Sequence, residues 1–290
     1  MFTLKKNAIK GVVASFLLLG LNGCQVNNIN LTPLMEAGKK STDLFEKSLA
    51  EEVEIGEEVS AVLLQKASIY NVREVQNYVN SVGMWLAQQT ERSDIPWTFS
   101  VIRDDSFNAF ATPGGFIYIT TGTLEQLQSE AELAGVLAHE IAHVVQKHHI
   151  RAIQKEAKIG IAADLARFLR DSQSDSSDSS GATVFGDHSV ENKLLNTIQD
   201  VYSDGLARSD ELEADKMGMV IAARAGYDPM AYIAVLQKID AQQDDSSFWQ
   251  AFSKRHPSAE DRLSELHKLA DKMTYIEGKE LNNRYSKMIK

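Results

Sequence analysis

The chain is poor in cysteine, in long apolar runs and in positive charge, and each shortage excludes a class of protein. Cys24 is the single cysteine in 290 residues, so no disulfide can form within the chain. The one pronounced apolar run covers about 13 residues, whereas a membrane-spanning helix needs roughly 20. Acidic residues outnumber basic ones by 40 to 30, giving a formal charge of −10. This balance argues against nucleic-acid binding.

The first 23 residues have the pattern of a secretory signal. Lys5, Lys6 and Lys10 precede or begin the apolar run GVVASFLLLGLNG, and Cys24 follows directly. Because this segment carries three lysines and no acids, its removal would take the formal charge from −10 to −13. An exported chain with one cysteine at this position indicates a use for the thiol other than cross-linking.

The segment LNGC resembles a bacterial lipobox, in which a peptidase cuts before the cysteine and the thiol of Cys24 receives a diacylglycerol. The alternative is an ordinary cleaved signal followed by an incidental cysteine. Gln25, in place of Asp, is the residue that the lipoprotein sorting pattern associates with the outer membrane. We expect a lipid anchor on the periplasmic side of that membrane, because an acidic protein gains no electrostatic attraction from anionic lipid.

Apolar spacing and turn residues predict a chain that contains both helices and strands. Helical spacing covers approximately 44–65, 72–90, 124–168, 194 onward, 229–242 and 258–273. Alternating residues predict strands at 96–102 and 116–121, with a Pro-Gly-Gly turn before the second strand. Residues 171–192 are rich in Ser, Asp and Gly, which is typical of a mobile loop, either a plain insertion or a lid.

His139, Glu140 and His143 form the pattern His-Glu-x-x-His. On a helix, residues four apart share one face within about 6 Å, so both imidazoles can bind one ion while Glu140 projects beside it. The alternative is a helix with solvated histidines. An apolar face would bury this helix and fix the geometry of the ligands; its residues are Val136, Leu137, Ile141 and Val144.

A catalytic zinc site uses three protein ligands and leaves the fourth position to water, so a third ligand is required. His149 lies where a metzincin places its third histidine, but that architecture needs glycine at the position that Gln146 occupies. We expect the helix to continue through Gln146 and to direct His149 away from the metal. His148 and His149 would then lie on the surface or behind the ligands.

A carboxylate pair follows in the segment ARSDELEADKMG. Glu211 and Asp215 are four residues apart and share a face if the segment is helical. Glu211 can then bind zinc while Asp215 accepts the free N–H of a ligating histidine and fixes its tautomer. Such acidic pairs usually form solvated faces, but after His-Glu-x-x-His this pair is the expected second half of a His, His, Glu site.

Four segments in order resemble the CAAX-prenyl-protease and HtpX-like zinc metallopeptidases of the gluzincin type: NAFATPGGFIYITTGTL, ELAGVLAHEIAHVVQKH, ARSDELEAD and RHPSAEDRL. The resemblance covers roughly Asn108 to Leu263. It implies an α+β, zincin-like fold that is mainly helical, with a small antiparallel sheet beside the metal-binding helix. It also implies one Zn²⁺ ion, and it makes Glu211 rather than Glu213 the ligand. Ala207 replaces the serine of the family pattern.

The same resemblance nominates His256 and Arg262 as cationic groups that stabilise the oxyanion of the substrate. The alternative is the start of a helix, with Ser258 as the cap and Arg262 on a surface face. A further hypothesis concerns His256. From a loop, it would become a fourth ligand, displace the water and keep the enzyme latent until substrate binds.

Zincin substrates bind as extended chains against an edge strand of the sheet, where main-chain hydrogen bonds supply affinity. We expect the strand just before the metal helix to be that edge; the residues that would contact the substrate are Phe116, Ile117, Tyr118 and Ile119. The alternative is that this strand is interior to the sheet.

These features predict a zinc endopeptidase of the cell envelope that acts on extended or misfolded polypeptides. The absence of membrane helices and of a helical-repeat domain favours the single-domain, LoiP-like periplasmic lipoproteins of the family. The expected organisation is a signal (1–23), a lipidated tether (24–43), a metallopeptidase domain (44–275) and a C-terminal tail (276–290). The alternative is a chaperone or assembly factor for outer-membrane proteins with a structural or latent zinc. Glu140 favours the enzyme, because a structural zinc needs no general base.

Overall fold

The computed structural model describes residues 48–64, 67–156, 198, 200–241, 256, 259–271 and 278–290. The predicted signal, the tether with Cys24, the loop at 171–192 and the capping Ser258 lie outside the described residues. The described residues belong to one compact unit, Glu46–Lys290. Among them, no helix combines the length and the apolar character that crossing a membrane requires.

The fold is α+β and mainly helical, as the sequence predicts. In chain order the elements are α1 (Leu49–Leu63), β1 (Ser68–Ile69), α2 (Arg73–Ala87), β2 (Thr98–Arg103), β3 (Ala109–Thr112), β4 (Phe116–Thr120), α3 (Thr121–Gln126), α4 (Glu130–Val145), α5 (Arg208–Arg224), α6 (Met230–Ala241), α7 (Ala259–Ala270) and α8 (Asn282–Ile289). Residues 148–156 and 200–204 are also helical.

The four strands form a mixed sheet in the order β1-β2-β4-β3. β2 runs parallel to β4, with Thr98 opposite Phe116. β3 runs antiparallel to β4, with Ala109 opposite Ile119. The prediction of a small antiparallel sheet is therefore right in size and wrong in one pairing. After β2 the chain first forms the outer strand β3 and then returns as β4 between β2 and β3.

The interior position of β4 contradicts the prediction that this strand is the edge against which an extended substrate binds. Since β4 pairs with strands on both sides, an extended peptide has no free backbone edge to join there. The four residues predicted to contact the substrate in this way are Phe116, Ile117, Tyr118 and Ile119. The outer strand on this side is β3, which the sequence analysis did not separate from the turn that follows it.

The central helix α4 carries the His-Glu-x-x-His pattern and is buried along its whole length, from Glu130 to Val144. A helix that is apolar on all sides belongs in the core, where its neighbours fix its position. Two glycines permit the close approach of those neighbours. A Cβ on Gly135 would lie 2.7 Å from Cβ of Tyr232 on α6, and one on Gly218 of α5 would lie 3.0 Å from the backbone N of His139.

Helix α4 ends at Val145, contrary to the predicted continuation through Gln146. Lys147 adopts φ 56°, in the left-handed region that favours glycine, and helical residues resume at 148. Buried Glu52 on α1 lies 2.5 Å from Lys147 Nζ and accepts from Arg92 Nη2 at 2.8 Å. The chain thus turns at a lysine, next to the position at which the metzincin pattern needs a glycine.

In the predicted C-terminal tail, α8 packs onto the domain. Tyr285 is fully buried and donates its hydroxyl to the Leu124 carbonyl at 2.5 Å. Arg284 pairs with Glu130 in the first turn of α4. Glu130 also accepts from the hydroxyls of Tyr78, at 2.8 Å, and Tyr227, at 2.7 Å. The N-terminus of α4 is thereby tied to α2, α8 and the turn after α5.

Candidate metal centre

Helices α4 and α5 bring the three predicted ligands together in the core. Nε2 of His139 lies 3.0 Å from Nε2 of His143. Glu211 Oε2 lies 3.6 Å from Nε2 of His139, and Glu211 Oε1 lies 3.4 Å from Nε2 of His143. All three side chains are buried. The two sequence patterns, 68 residues apart along the chain, therefore converge on a single point.

The separations of these atoms fit a metal ion. Ligand atoms at about 2.0–2.1 Å from a tetrahedral zinc are about 3.3 Å from one another, and the three distances above bracket this value. Both oxygens of Glu140 and Oε1 of Glu211 are buried and accept no hydrogen bond from the residues that the structure describes. Buried carboxylate oxygens without partners are costly unless a cation compensates them. The donor set therefore fits a metal.

The electrostatics of the cluster differ between the two histidines. Burial alone would lower the pKa of His139, but its contacts with Asp215 and Glu211 raise that pKa to about 9. Burial lowers the pKa of His143 well below its usual value, so this imidazole is neutral and presents a lone pair. Positive charge is thus favoured at His139 and disfavoured at His143.

Asp215 lies behind His139, as the sequence predicts. Its Oδ1 is 2.9 Å from Nδ1 of His139, which directs the opposite ring nitrogen to the metal position. Burial alone would raise the pKa of Asp215, but the Arg262 guanidinium holds it well below its usual range. Asp215 is therefore ionised beside Nδ1 of His139.

Arg262 has partners other than those predicted. It is fully buried, which excludes the surface alternative. Its Nε donates to Asp215 Oδ2 at 2.8 Å and its Nη2 to Asp215 Oδ1 at 2.6 Å. Nη2 also contacts the Tyr232 hydroxyl at 2.7 Å, and Nη1 lies 3.5 Å from Glu211 Oε2. The guanidinium thus contacts both Asp215, which lies behind His139, and the predicted ligand Glu211.

His256 completes a cluster of four donors with His139, His143 and Glu211, whose ligand atoms all lie within 4.8 Å of one another. Its Nδ1 is 2.8 Å from Glu211 Oε2 and 3.4 Å from Nε2 of His139. Its Nε2 is 3.6 Å from Glu140 Oε1. Of the two residues nominated for the oxyanion, His256 is the one that reaches both the ligands and Glu140.

Helical residues 200–204, which the sequence did not connect with the site, cover the cluster. The Tyr202 hydroxyl donates to the Ala111 carbonyl of β3 at 3.0 Å, and the Tyr202 ring stacks on His149 at 4.7 Å. The cavity between these residues, Glu140 and His256 measures about 10 Å³, which holds at most about one water. The centre is closed in this structure.

His148 and His149 are both buried rather than on the surface. Nδ1 of His148 lies 2.8 Å from Nδ1 of His143. His149 lies outside the group of four possible ligands, although the chain turns at Lys147. The geometry thus gives no support to the metzincin alternative. The burial of His148 depends on the turn, for which the local sequence has no glycine signal.

Comparison with known proteins identifies relatives of the whole region that holds the centre. The sequence model of peptidase family M48 matches residues 73–270, more than half of the chain. The beta-barrel assembly-enhancing protease of Escherichia coli (strain K12) is 28% identical over 276 residues, which are 93% of this chain and 53% of that protein. The mitochondrial metalloendopeptidase OMA1 of Schizosaccharomyces pombe is 31% identical over 193 residues, 65% of this chain and 51% of that protein. The chain thus spans about half the length of these curated relatives.

Proposed function

Because this chain belongs to peptidase family M48, whose members are metallopeptidases, we propose that it is a zinc-dependent endopeptidase with Glu140 as its general base. The observation that carries the proposal is the convergence of His139, His143 and Glu211, with the two oxygens of Glu140 buried beside them. A bound zinc ion would supply Lewis acidity and lower the pKa of a water to about 7. We expect the cluster to bind one ion.

Glu140 supplies the proton transfers of the reaction. From its position beside the predicted ligands, it would take a proton from the attacking water and later deliver that proton to the leaving amine. We infer that His256, 3.6 Å from Glu140 Oε1, donates to the substrate oxyanion once its imidazole no longer contacts Glu211. Arg262 acts on the reaction indirectly, because its hydrogen bonds hold Asp215, which orients His139.

The outer strand β3 is the better candidate for binding an extended substrate. The N–H of Thr120 donates to the Asn108 carbonyl at 3.1 Å. In an antiparallel pair the bonded and non-bonded positions alternate, so Ala109 and Ala111 direct their backbone groups away from β4. The Tyr202 hydroxyl already donates a hydrogen bond to the Ala111 carbonyl. A substrate strand must therefore displace Tyr202 before it pairs with β3.

The closed geometry supports the hypothesis of a latent enzyme. His256 offers a fourth donor to the group of His139, His143 and Glu211, and a fourth protein ligand would take the place that a catalytic zinc leaves to water. Substrate entry would move Tyr202 and His256 together, because both border the same small cavity. Such latency would protect neighbouring envelope proteins from digestion.

We place the enzyme at the periplasmic side of the outer membrane, anchored through a diacylglycerol on Cys24. The support is the signal pattern of residues 1–23 and the LNGC segment. The relatives named for beta-barrel assembly suggest misfolded or unassembled outer-membrane proteins as substrates. The closed centre favours a second candidate, an assembly factor whose metal is structural or latent.

The proposal is tested with the purified full chain and casein as an unfolded substrate. We expect cleavage by the wild type or by His256→Ala, loss of cleavage with a zinc chelator, and its recovery when zinc is restored. Internal fragments would show endopeptidase activity. Absence of cleavage by both zinc-loaded proteins would contradict the enzyme and favour the assembly factor.

A further inference from the structure

The predicted metal ligand His143 has a second partner on the side of its ring away from the cluster. Its Nδ1 lies 2.8 Å from Nδ1 of His148, and both rings are fully buried. On its other side, His148 Nε2 lies 3.3 Å from Glu213 Oε2 and 3.9 Å from Asp210 Oδ1. A chain of contacts thus runs from the buried His143 and His148 to two partly exposed carboxylates on α5.

The direction of the hydrogen bonds in this chain follows from the metal site. A contact of 2.8 Å between two ring nitrogens needs one donor and one acceptor. If Nε2 of His143 binds a metal, the ring proton of His143 must be on Nδ1, which therefore donates to His148. His148 then carries its own proton on Nε2, where the carboxylates of Glu213 and Asp210 can accept it.

We propose that His148 is a positioning residue for the metal ligand His143. By accepting the Nδ1–H of His143, it fixes the tautomer and the orientation of that ring, as Asp215 does for His139. Glu213 fixes the tautomer of His148 in turn. The proposal rests on the proposed metal site, and it assigns a function to a residue that the His, His, Glu pattern leaves unused.

The same residues do not form a second cation site while the first is occupied. His148, Asp210 and Glu213 do offer three ligand atoms within 4.8 Å of one another. However, a metal on Nε2 of His148 would move its proton to Nδ1, which faces Nδ1 of His143. His143 would then have to accept there and carry its proton on Nε2, which leaves no lone pair for the zinc. Arg151 also supplies positive charge to Asp210, at 3.2 Å.

The turn before His148 holds this arrangement in place. Lys147 adopts the left-handed conformation that folds His148 back against His143, and Glu52 binds the Lys147 ammonium at 2.5 Å. Arg92 joins the two segments by contacting Glu52 at 2.8 Å and the Val144 carbonyl at 3.4 Å. The contact between the two histidines is thus supported by ion pairs from a separate helix.

The first test is the zinc affinity of His148→Ala and His148→Gln, measured by competition with a chromophoric chelator. Loss of a group that orients a ligand weakens metal binding by about 10–100-fold, and we expect the larger effect for Ala, since Gln retains an acceptor. The matched control is His267→Ala, an exposed histidine on α7, which should keep wild-type affinity. Wild-type affinity in a folded His148→Ala would overturn the proposal.

A second variant avoids the risk that a buried substitution prevents folding. The Glu213 side chain is 49% exposed, so Glu213→Gln should fold, and we expect it to bind zinc more weakly than the matched exposed control Glu125→Gln. Equal affinities for Glu213→Gln and Glu125→Gln would count against the proposal.

Nitrogen-15 NMR of labelled histidines gives a readout that is independent of affinity. In the zinc-loaded wild type we expect the proton of His143 on Nδ1 and the proton of His148 on Nε2. A His148 proton on Nδ1 would overturn the proposal. Two zinc ions per wild-type chain, with one of them lost in His148→Ala, would overturn it as well. A wild type that binds no zinc would contradict the metal site itself. Zinc loss in Glu211→Ala with full affinity in both His148 variants would contradict the positioning role alone.

Discussion

Glu52 on α1 and Lys147 after α4 form an ion pair of 2.5 Å, and this pair stabilises the turn at which α4 ends. The carboxylate is buried, whereas the lysine side chain is 38% exposed. Since Lys147 has φ 56°, the pair holds a residue in a conformation that side chains rarely adopt. The position of His148 depends on this turn.

Replacing Lys147 tests the cost of that conformation. Both Lys147→Gly and Lys147→Ile remove the ammonium, so the difference between their free energies of unfolding reports the cost of the backbone conformation alone. We expect Ile to lower the free energy of unfolding by roughly 1–2 kcal/mol relative to Gly, because a side chain at positive φ is strained. Urea unfolding of the metal-free proteins measures this difference, and equal stabilities would contradict the assigned turn.

The choice of the third ligand is tested by zinc content. We expect Glu211→Ala to lose stoichiometric zinc, because it removes a buried ligand, and Glu213→Ala to retain one zinc per chain with weakened affinity. His149→Ala should also retain zinc, since His149 lies outside the ligand cluster. Elemental analysis after gel filtration distinguishes these variants. Loss of zinc from His149→Ala and not from Glu211→Ala would instead support a metzincin site.

The pairing of Arg262 with Asp215 predicts a large loss of stability on truncation. Arg262→Met removes the guanidinium partner of the buried Asp215, and breaking a buried pair in this way costs about 3–5 kcal/mol of unfolding free energy. Arg262→Lys should recover only part of this loss, since an ammonium lacks the planar fork. Denaturant unfolding in the presence of chelator gives these values, and a near-neutral Arg262→Met would contradict the pairing.

The loss of stability in Arg262→Met should depend on pH, because the pKa of Asp215 is lowered in the folded protein. Burial raises this pKa, but the Arg262 guanidinium lowers it by more. A carboxyl whose pKa is lowered by folding stabilises the protein above its unfolded pKa, near 3.8, and loses this contribution as the pH falls further. We therefore expect the difference in stability between wild type and Arg262→Met to be constant near neutral pH and to shrink below about pH 3.8. A difference that grows with acidity would have the wrong sign.

Tyrosine titration tests the network around Glu130. Burial and then the neighbouring Glu130 carboxylate raise the pKa values of Tyr78 and Tyr227 above the usual 10. A phenol with a raised pKa stabilises the fold below pH 10 and loses this contribution as the pH rises beyond it. We expect absorbance at 295 nm to show that these tyrosines ionise only when the protein unfolds. In Glu130→Gln their ionisation should begin at lower pH, and unchanged titration would contradict the network.

Latency is tested by replacing His256. We expect His256→Ala to raise basal cleavage of casein, because loss of a fourth donor would leave its place to water, and we expect this gain to exceed the loss of the oxyanion donor. Initial rates at equal zinc occupancy measure the effect, with His267→Ala as the control. A variant that is silent or merely less active would count against regulation by His256.

The sequence predicted the features that arise from local periodicity. Ligands four residues apart on one helix, such as His139 and His143, follow from the helical repeat alone. The choice of Glu211 and Asp215 depended on the family pattern in addition, and the structure brings both to the histidines.

The features that the sequence did not predict depend on contacts between distant segments. β4 is interior because β3 pairs on its far side, and no local pattern reports that order. The turn at Lys147 depends on Glu52, nearly a hundred residues earlier, so the search for a glycine missed it. The cover formed by Tyr202 depends on the Ala111 carbonyl in the sheet.

The most direct test of the central claim is the rate of casein cleavage by zinc-loaded Glu140→Gln, in the wild-type and His256→Ala backgrounds. Glutamine keeps the shape of the side chain but takes up no proton. We predict one bound zinc and a rate lower by about 10²–10⁴-fold, the usual contribution of a general base, whereas Glu125→Gln should match its parent. Cleavage at the parent rate by Glu140→Gln with zinc bound would contradict the account.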